Sequence, residues 1–262
     1  MSDYSYIIYN VENQTATITI NREEVYNALN ADAKYEIVKA IRTANKDKDV
    51  RSIILTAKGK AFCTGQDLND RSVQAGEKPV DLGNTLETEW NPLVQTIRES
   101  KKIVIGAING VSAGAGLSVA LACDYIVATP GIRFISGFSK LGLAPDAGSS
   151  FTFTRALGQK RTLDFFLFNE PLSSEDLVEA GLINLVSEEL LEKANEISSK
   201  INAMAPNCVE LIKKNIQLAA ESTFKESINN EIYAQRFLGN SEDYKEGLTA
   251  FFEKRAPNFK GK

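Results

Sequence analysis

The chain has 262 residues, of which 43% are apolar and 24% are charged, and its formal net charge is −4. This length and apolar content suffice for a large buried core without disulfide support. Acidic and basic residues are interspersed, which does not favour nucleic acid or a membrane surface as a partner. No uncharged stretch approaches the roughly 20 residues that span a bilayer, so we expect a cytoplasmic protein.

The chain contains three cysteines and no histidine. The lack of histidine excludes Ser-His-Asp and Cys-His mechanisms and any histidine-containing metal site. Proton transfer near neutral pH must then use a carboxylate, Lys, Tyr or Cys. Cys63, Cys123 and Cys208 have apolar neighbours and no CxxC spacing, so we expect buried, reduced thiols and no metal site.

The first elements are predicted from alternation and capping residues. Residues 6–20 predict two strands, paired antiparallel around a polar turn at 12–14. Asn30 is a suitable N-cap for a helix that runs to about Lys46. The apolar positions expected on the buried face of this helix are Tyr35, Ile37, Val38 and Ile41.

Three apolar segments, 52–56, 103–108 and 124–129, predict buried strands. A polar stretch between residues 67 and 84 predicts a mobile loop, and a helix is predicted over roughly 86–99. Strand, turn and helix then alternate, which indicates right-handed crossover units and an α/β core.

Helical patterns dominate after residue 156 and predict a helical C-terminal region. The predicted helices are 155–168, 174–180, 188–203, 209–222 and 227–238. The final segment, 247–255 with a short basic tail, has the composition of a solvated terminus.

Residues 61–67 form a glycine-containing loop after a buried strand. A chain that leaves a strand in this way exposes backbone N–H groups that no ladder partner satisfies. One of them, near Gln66, is a candidate donor to a substrate oxyanion. An ordinary strand-to-helix turn has the same composition, so this motif leaves both interpretations open.

A second glycine-rich turn, at 109–116, lies between a predicted strand and a small-residue helix expected at 118–122. Its glycines permit close approach of a ligand, and the helix N-terminus adds partial positive charge. A dinucleotide fingerprint is not favoured, because Val119 takes the place of its third glycine. Close strand–helix packing would explain the turn equally well.

The acid Asp146 lies between Pro145 and a Gly-Ser turn, a context typical of a helix N-cap. Its apolar surroundings also point to a partly desolvated carboxylate with a raised pKa, as a proton-transfer base requires. The neighbours that would desolvate it are Leu141, Leu143, Ala144, Phe151 and Phe153.

Together these features resemble the crotonase (enoyl-CoA hydratase/isomerase) superfamily. The segments that carry the resemblance are 27–29, 62–67, 109–116, 134–148, 180–182 with Val186, and 252–255. Within the superfamily, residues 65–71 and 138–146 are similar to the ring-epoxide phenylacetyl-CoA isomerases of aerobic phenylacetate breakdown. The resemblance implies an α/β fold of repeated ββα units, with residues 1–200 holding a CoA-thioester site and residues 201–262 forming a helical trimerisation region.

The resemblance also implies the site residues. The backbone N–H groups of Gln66 and Ala115 correspond to an oxyanion hole, in which one donor typically contributes about 3 kcal/mol of transition-state stabilisation. The positions implied for binding CoA and substrate are Arg22, Ala28, Thr64, Gln66, Asp67, Leu68, Gly114 and Lys254, the last a lysine that reaches CoA phosphates, often across a subunit boundary. The residues expected to shape the acyl pocket are Trp90, Phe138 and Leu143.

Departures from the hydratase pattern favour an isomerase. Hydratases of the superfamily carry two water-activating glutamates, and the matching positions here are Ser118 and Phe138. The single acid is Asp146, where hydratases usually have glycine. One carboxylate that removes a proton from one carbon and returns it to another suffices for isomerisation, whereas hydration also needs a positioned water.

The expected reaction converts 2-(1,2-epoxy-1,2-dihydrophenyl)acetyl-CoA to its oxepin isomer, with 3-enoyl to 2-enoyl-CoA isomerisation as a related activity. Coenzyme A is then part of the substrate, and no separate cofactor, nucleic acid or membrane partner is expected. The resemblance implies a homotrimer or a dimer of trimers. Two alternatives stay open, an enoyl-CoA hydratase of the same superfamily and a non-catalytic member that binds acyl-CoA or RNA.

Overall fold

The computed structural model describes residues 4–71 and 80–262. Within these residues the chain forms a six-stranded and a four-stranded β-sheet, surrounded by helices. The strands are β1 (Ile7–Glu12), β2 (Thr15–Ile20), β3 (Ser52–Ala57), β4 (Ala61–Cys63), β5 (Ile103–Ile108), β6 (Val111–Ala113), β7 (Tyr125–Ala128), β8 (Arg133–Ile135), β9 (Leu172–Ser173) and β10 (Leu185–Val186). The helices are α1 (Ala31–Lys46), α2 (Leu82–Thr85), α3 (Asn91–Arg98), α4 (Ala115–Leu121), α5 (Ser149–Phe168), α6 (Ser174–Glu179), α7 (Leu190–Asn202), α8 (Pro206–Ala219), α9 (Phe224–Gly239) and α10 (Glu242–Glu253).

The larger sheet has the strand order β1-β2-β3-β5-β7-β10. The predicted opening pair is confirmed, since β1 and β2 are antiparallel, and the other neighbours are parallel. The three predicted buried strands are β3, β5 and β7. All six residues of β3 are buried, as expected for a parallel strand covered on both faces.

The smaller sheet has the order β4-β6-β8-β9 and explains the repeated unit. Each of β3, β5 and β7 is followed by a short strand of the smaller sheet, and a helix comes after that strand. The predicted ββα architecture is confirmed. The three-residue strands β4 and β6 lie inside segments that the sequence predicts as turns, because so short a strand has no readable alternation.

The buried face of α1 differs from the prediction at one position. The Asn30 side chain accepts a hydrogen bond from the Ala33 N–H at 2.8 Å, which confirms the N-cap. Tyr35, however, is 67% exposed, whereas Lys34 is only 1% exposed. Lys34 precedes Ile37 by three residues, at the spacing of one helix face, so the tyrosine prediction is wrong and a charged side chain takes its place in the interior.

Several predicted boundaries also change. Helix α4 begins at Ala115 rather than 118, and residues Leu86–Trp90 form a π-helical segment before α3. Helix α5 begins at Ser149 and is kinked at Gly158. The segment interpreted as a solvated terminus belongs to α10. Residues 72–79 of the predicted mobile loop lie outside the described part of the chain.

Helices α7 and α8 hold the C-terminal region against the larger sheet. The apolar residues that α7 and the sheet bury together are Ile54, Ile105, Ala107, Val127, Leu190, Ala194 and Ile197. On α8, the buried Lys213 Nζ lies 2.7 Å from Asp124 Oδ2, just before β7. The large exposed apolar residues of α8–α10 include Ile216, Phe224, Tyr233, Phe237, Phe251 and Phe252.

Gly116 is required where α4 packs against β4. A Cβ atom at this position would lie 2.1 Å from the carbonyl oxygen of Cys63, which is backbone and has no rotamer to escape to. We predict that Gly116→Ala lowers the free energy of unfolding by about 1–3 kcal/mol, the usual cost of overpacking, as measured by urea denaturation. The control is Gly239→Ala, where nothing lies within 4 Å of the added atom. Equal stability of the two variants would contradict the packing argument.

Candidate active site

One cavity brings together the three motifs singled out from the sequence. Its volume is about 580 Å³, and most of its surface is apolar. The residues that line it are Thr64, Gly65, Gln66, Leu68, Leu82, Thr85, Leu86, Trp90, Ala113, Gly114, Ala115, Ser136, Gly137, Phe138, Leu141, Leu143, Ala144, Pro145 and Asp146. The predicted base, both predicted oxyanion residues and the predicted acyl-pocket residues are all among them.

The backbone of Gln66 is held by a parallel β-bridge to Leu29. The Leu29 N–H donates to the Gly65 carbonyl at 2.8 Å, and the Asp67 N–H donates to the Leu29 carbonyl at 3.1 Å. In a parallel bridge, the residue between these two bonds directs its own N–H away from the partner. The Gln66 N–H therefore faces away from Leu29, and Gln66 lines the cavity.

The second backbone donor is at the start of α4. Ala115 is the first residue of this helix, so its N–H has no acceptor within the helix and carries the partial positive charge of the N-terminus. Gly114 before it has φ 52° and ψ −131°, a conformation that side chains disfavour. A Cβ atom at Gly65 would lie 3.3 Å from the Ala115 nitrogen. The two turns are thus in direct contact and can present two N–H groups to one ligand oxygen.

Asp146 lines the cavity, and its backbone is held by two serines. The Asp146 carbonyl accepts hydrogen bonds from the Ser149 N–H at 2.9 Å, the Ser149 hydroxyl at 2.8 Å and the Ser118 hydroxyl at 3.0 Å. Ala147 and Gly148 follow with φ of 47° and 86°. This left-handed turn makes Gly148 the N-cap of α5, with no side-chain cap. The N-cap interpretation of Asp146 is therefore wrong.

The surroundings of Asp146 raise its pKa. Burial raises the pKa of Asp146 to about 6, and the positive charge of Lys34 opposes that rise. Among the described residues, the buried Oδ1 atom has no hydrogen-bond partner. A carboxyl group with this pKa is mostly ionised at neutral pH but holds a proton readily, so it can both accept and return one.

Two positions of the site lack the carboxylate that activation of water would need. The Ser118 hydroxyl is committed to the Asp146 carbonyl, and Phe138 is 5% exposed, with its ring centroid 6.3 Å from that of Phe166. Neither position carries a carboxylate. Cys63 offers no second base, because burial raises the pKa of its thiol to about 12.

Three of the residues predicted to contact CoA, namely Arg22, Ala28 and Asp67, are joined to one another by hydrogen bonds beside Gln66. The buried Arg22 guanidinium donates to the Ala28 carbonyl and to Asp67 Oδ2, the latter at 2.9 Å. Burial raises the pKa of Asp67, but hydrogen bonds from Arg22 and from the Asn69 N–H outweigh it and hold that pKa below its usual range. These contacts fix the loop, and a contact of Arg22, Ala28 or Asp67 with CoA stays a prediction.

The remaining predicted contacts divide between the cavity and the surface. Thr64, Leu68 and Gly114 line the cavity. Lys254 is exposed at the end of α10 and is not among the lining residues. Its contact with CoA phosphates stays a prediction that concerns the assembled protein.

Sequence reasoning missed Lys34, which lies behind the cavity wall. Its Nζ atom donates to Gln66 Oε1 at 2.9 Å, forms an ion pair with Glu89 and lies 4.5 Å from the centroid of the Trp90 ring. The available signal was its helical spacing with Ile37 and the following apolar positions of α1. A lone lysine on such a face is easily assigned to the surface.

In the part of the chain that the structure describes, no cluster of three or more cysteine or acidic side chains is arranged to hold a metal ion. A search of the same residues finds no helix with the length and apolar character needed to cross a bilayer.

The chain has the architecture of a crotonase-type enzyme. Its two sheets are built from ββα units, and its cavity lies between a loop at a strand end and a helix N-terminus. A family profile described as enoyl-CoA hydratase/isomerase matches residues 10–262. The chain belongs to the enoyl-CoA hydratase/isomerase family of the crotonase superfamily.

The relatives include both isomerases and hydratases. The chain is 37% identical to the 1,2-epoxyphenylacetyl-CoA isomerase of Escherichia coli, over 98% of this chain and 99% of that protein. It is 34% identical to the trans-2-decenoyl-[acyl-carrier-protein] isomerase of Streptococcus mutans, over 99% of this chain and all of the relative. The crystal structure of an enoyl-CoA hydratase from Bacillus anthracis superposes with a TM-score of 0.92 at 29% identity, covering 98% of this chain and 100% of that one.

The raised pKa of Asp146 predicts a pH-dependent effect of Asp146→Asn on stability. Ionising a carboxyl group whose pKa rises from 3.8 to about 6 on folding disfavours the folded state by up to about 3 kcal/mol at high pH. The parent therefore loses this stability as pH rises from about 4 to above 6, and the Asn variant does not. We predict that urea denaturation shows the variant to be the more stable protein at pH 8, with the advantage shrinking towards pH 4.

The matched control is Asp49→Asn at an exposed position, where a surface substitution changes stability little at any pH. An Asp146→Asn variant whose stability relative to the parent is the same at pH 4 and pH 8 would show that the carboxylate is not desolvated.

Proposed function

We propose that this enzyme is an acyl-CoA isomerase in which Asp146 transfers the proton while the N–H groups of Gln66 and Ala115 bind the thioester oxygen. One observation carries the proposal. Among the described residues that line the cavity, Asp146 is the only ionisable one, and it shares that cavity with the two adjoining backbone turns.

The proposed reaction on a 3-enoyl-CoA has two proton transfers. Asp146 removes a proton from C2, and the electron pair delocalises through the double bond and the carbonyl to give a dienolate with its charge on the thioester oxygen. The N–H groups of Gln66 and Ala115 stabilise this charge more than they stabilise the neutral carbonyl. Asp146 then returns the proton to C4, so that the double bond lies between C2 and C3.

The choice of isomerase over hydratase depends on whether the cavity contains a second acidic side chain besides Asp146. Water addition needs a group that orients and deprotonates water as well as one that protonates carbon. At the positions that correspond to the two hydratase glutamates, Ser118 holds the Asp146 backbone and Phe138 is an apolar wall. With a single carboxylate facing the cavity, proton return to the same molecule is the favoured outcome.

Loss of the base tests this mechanism. We predict that Asp146→Asn lowers kcat on a 3-enoyl-CoA by about 10²–10⁴-fold, the usual contribution of a positioned base, because the amide cannot accept the C2 proton. The measurement is formation of the conjugated 2-enoyl thioester by ultraviolet absorbance. Asp49→Asn is expected to retain the parent rate, and a parent rate in Asp146→Asn would refute the assignment of the base.

The finer proposal is that the physiological substrate is a ring-epoxide, 2-(1,2-epoxy-1,2-dihydrophenyl)acetyl-CoA, which the enzyme converts to the oxepin isomer. It is supported by the identity to the Escherichia coli isomerase and by a cavity wall rich in apolar and aromatic groups, among them Trp90, Phe138 and Leu143. Such a wall suits a flat ring, although it also suits an alkyl chain.

A panel of CoA esters distinguishes these substrates. We expect the ring-epoxide to show the highest kcat/KM, straight-chain 3-enoyl esters to react more slowly, and water addition to crotonyl-CoA to be slower still, as read by mass spectrometry. Hydration faster than isomerisation would favour the hydratase alternative, and no turnover of any ester would favour a non-catalytic acyl-CoA-binding or RNA-binding protein.

The proposed assembly is a homotrimer or a dimer of trimers with Lys254 near the CoA phosphates of a neighbouring subunit. It is supported by the large apolar residues exposed on α8–α10, including Phe224, Phe251 and Phe252, which an isolated chain rarely leaves in water. Light scattering should then give three or six times the chain mass of 28.7 kDa, and a monomer would contradict the proposal.

A further inference from the structure

Lys34 is buried beside the cavity without lining it. It lies in the first turn of α1, where its N–H donates to the Asn30 carbonyl at 3.2 Å, and it is 1% exposed. Taking a lysine ammonium out of water costs several kcal/mol unless partners compensate. The partners here are Glu89 and Trp90 of the π-helical segment and Gln66 of the oxyanion loop.

The side-chain amide of Gln66 is held by hydrogen bonds to Lys34, Trp90 and the backbone of Asp67. Its Oε1 atom accepts hydrogen bonds from Lys34 Nζ at 2.9 Å and from Trp90 Nε1 at 3.1 Å, and its Nε2 donates to the Asp67 carbonyl at 3.2 Å. Two of these donors come from elements outside the loop. An amide held in this way fixes the orientation of its own residue, including the backbone N–H.

Helix α1 therefore holds the loop at two points. Leu29, next to its N-cap, bonds the backbone on either side of Gln66, and Lys34, one turn further on, bonds the Gln66 side chain. The same ammonium lies over the indole of Trp90, which forms part of the acyl wall. One cation thus connects the oxyanion loop with the wall of the acyl pocket.

The charges around Lys34 favour a role in orientation. Glu89 neutralises it within an ion pair, and the nearby Arg22–Asp67 pair is neutral as a unit. The positive charge of Lys34 lowers the pKa of Asp146, but the burial of Asp146 has the stronger effect on that pKa. Lys34 therefore makes the smaller contribution to the pKa of the base, whereas its hydrogen bond joins it directly to Gln66 of the oxyanion loop.

We infer that Lys34 is a positioning residue, which locks Gln66 and Trp90 so that the Gln66 N–H points at the thioester oxygen. The consequence for catalysis rests on the function proposed above, whereas the locking itself rests only on the contacts. Because a donor misplaced by about 1 Å can cost about 10²-fold in rate, the loss of Lys34 should be felt in kcat even though Lys34 does not touch the substrate.

The test uses a double variant, Lys34→Met with Glu89→Gln, which removes the ion pair between the buried Lys34 and the partly exposed Glu89 as a unit. Replacing a buried pair by neutral side chains of similar size often preserves stability, whereas Lys34→Met alone would leave Glu89 unpaired. The matched control is Lys213→Met with Asp124→Asn, which removes the buried ion pair between α8 and the start of β7. Lys34→Arg tests whether a cation alone restores function.

In the double variant we expect kcat on a 3-enoyl-CoA to fall by about 10²-fold with little change in KM, and Lys34→Arg to recover part of the loss. The pH at which kcat/KM rises should stay close to the parent value, because the double variant removes a positive and a negative charge together. The control pair should leave kcat and the pH profile unchanged.

Trp90 supplies a readout that does not need activity. It is the only tryptophan of the chain, and its indole N–H donates to Gln66 Oε1, so the rate at which this N–H exchanges with solvent reports that hydrogen bond. The rate is read from the single indole signal in proton–nitrogen correlation spectra. We expect faster exchange in the double variant and the parent exchange rate in the control pair.

A folded double variant with the parent kcat would overturn the inference, whatever the exchange rate of the indole N–H. If the parent itself turns over no CoA ester, the proposed function fails and the locking is judged by the indole N–H alone. Faster exchange in the double variant then supports the locking, and an unchanged exchange rate overturns it.

Discussion

The contact between two backbone turns is the constraint on which the site depends. The end of β4 and the start of α4 approach so closely that a Cβ atom at Gly116 would overlap the Cys63 carbonyl, and one at Gly65 would lie 3.0 Å from the Ala113 carbonyl. The space between the two turns therefore has room for backbone atoms but not for a side chain at Gly116. Two consecutive ββα units each provide one of these turns, so the architecture aligns two backbone N–H groups and no polar side chain has to serve as the oxyanion donor.

A single carboxylate, that of Asp146, belongs to a described residue lining the same cavity, and burial raises its pKa to about 6. Its backbone is fixed by the hydroxyls of Ser118 and Ser149, and the left-handed conformation of Ala147 prevents the acid from capping α5. A non-glycine residue in that region stores strain of order 1 kcal/mol. The strained turn favours proton transfer by Asp146, because an aspartate that capped the helix would be stabilised as an anion and would be a weaker base.

Much of this arrangement could be predicted from the sequence. The buried strands follow from their apolar runs, the N-cap from Asn30, and the site from glycines and an acid in apolar surroundings. Three-residue strands such as β4 are too short to show an alternating pattern of apolar and polar residues. Only their pairing within the smaller sheet identifies them as strands. The direction of the Asp146 side chain depends on φ at Ala147, which residue type does not determine.

Lys34 shows the other limit of sequence reasoning. Helical spacing places it on the buried face of α1, but composition assigns a lysine to the surface, and its partners Gln66 and Glu89 lie far along the chain. When the groups that compensate a buried charge lie far along the chain, no local sequence pattern indicates that the charge is buried. The same holds for Arg22, which the resemblance assigns to coenzyme A and whose contacts here are internal.

A structure of the enzyme with a bound, unreactive acyl-CoA would show whether the two turns and Asp146 act on the same thioester. We predict that the thioester oxygen lies about 2.7–3.1 Å from the nitrogen atoms of both Gln66 and Ala115, with the Asp146 carboxylate about 3–3.5 Å from C2. A thioester bound away from the two turns, or an Asp146 side chain directed to bulk solvent, would contradict it.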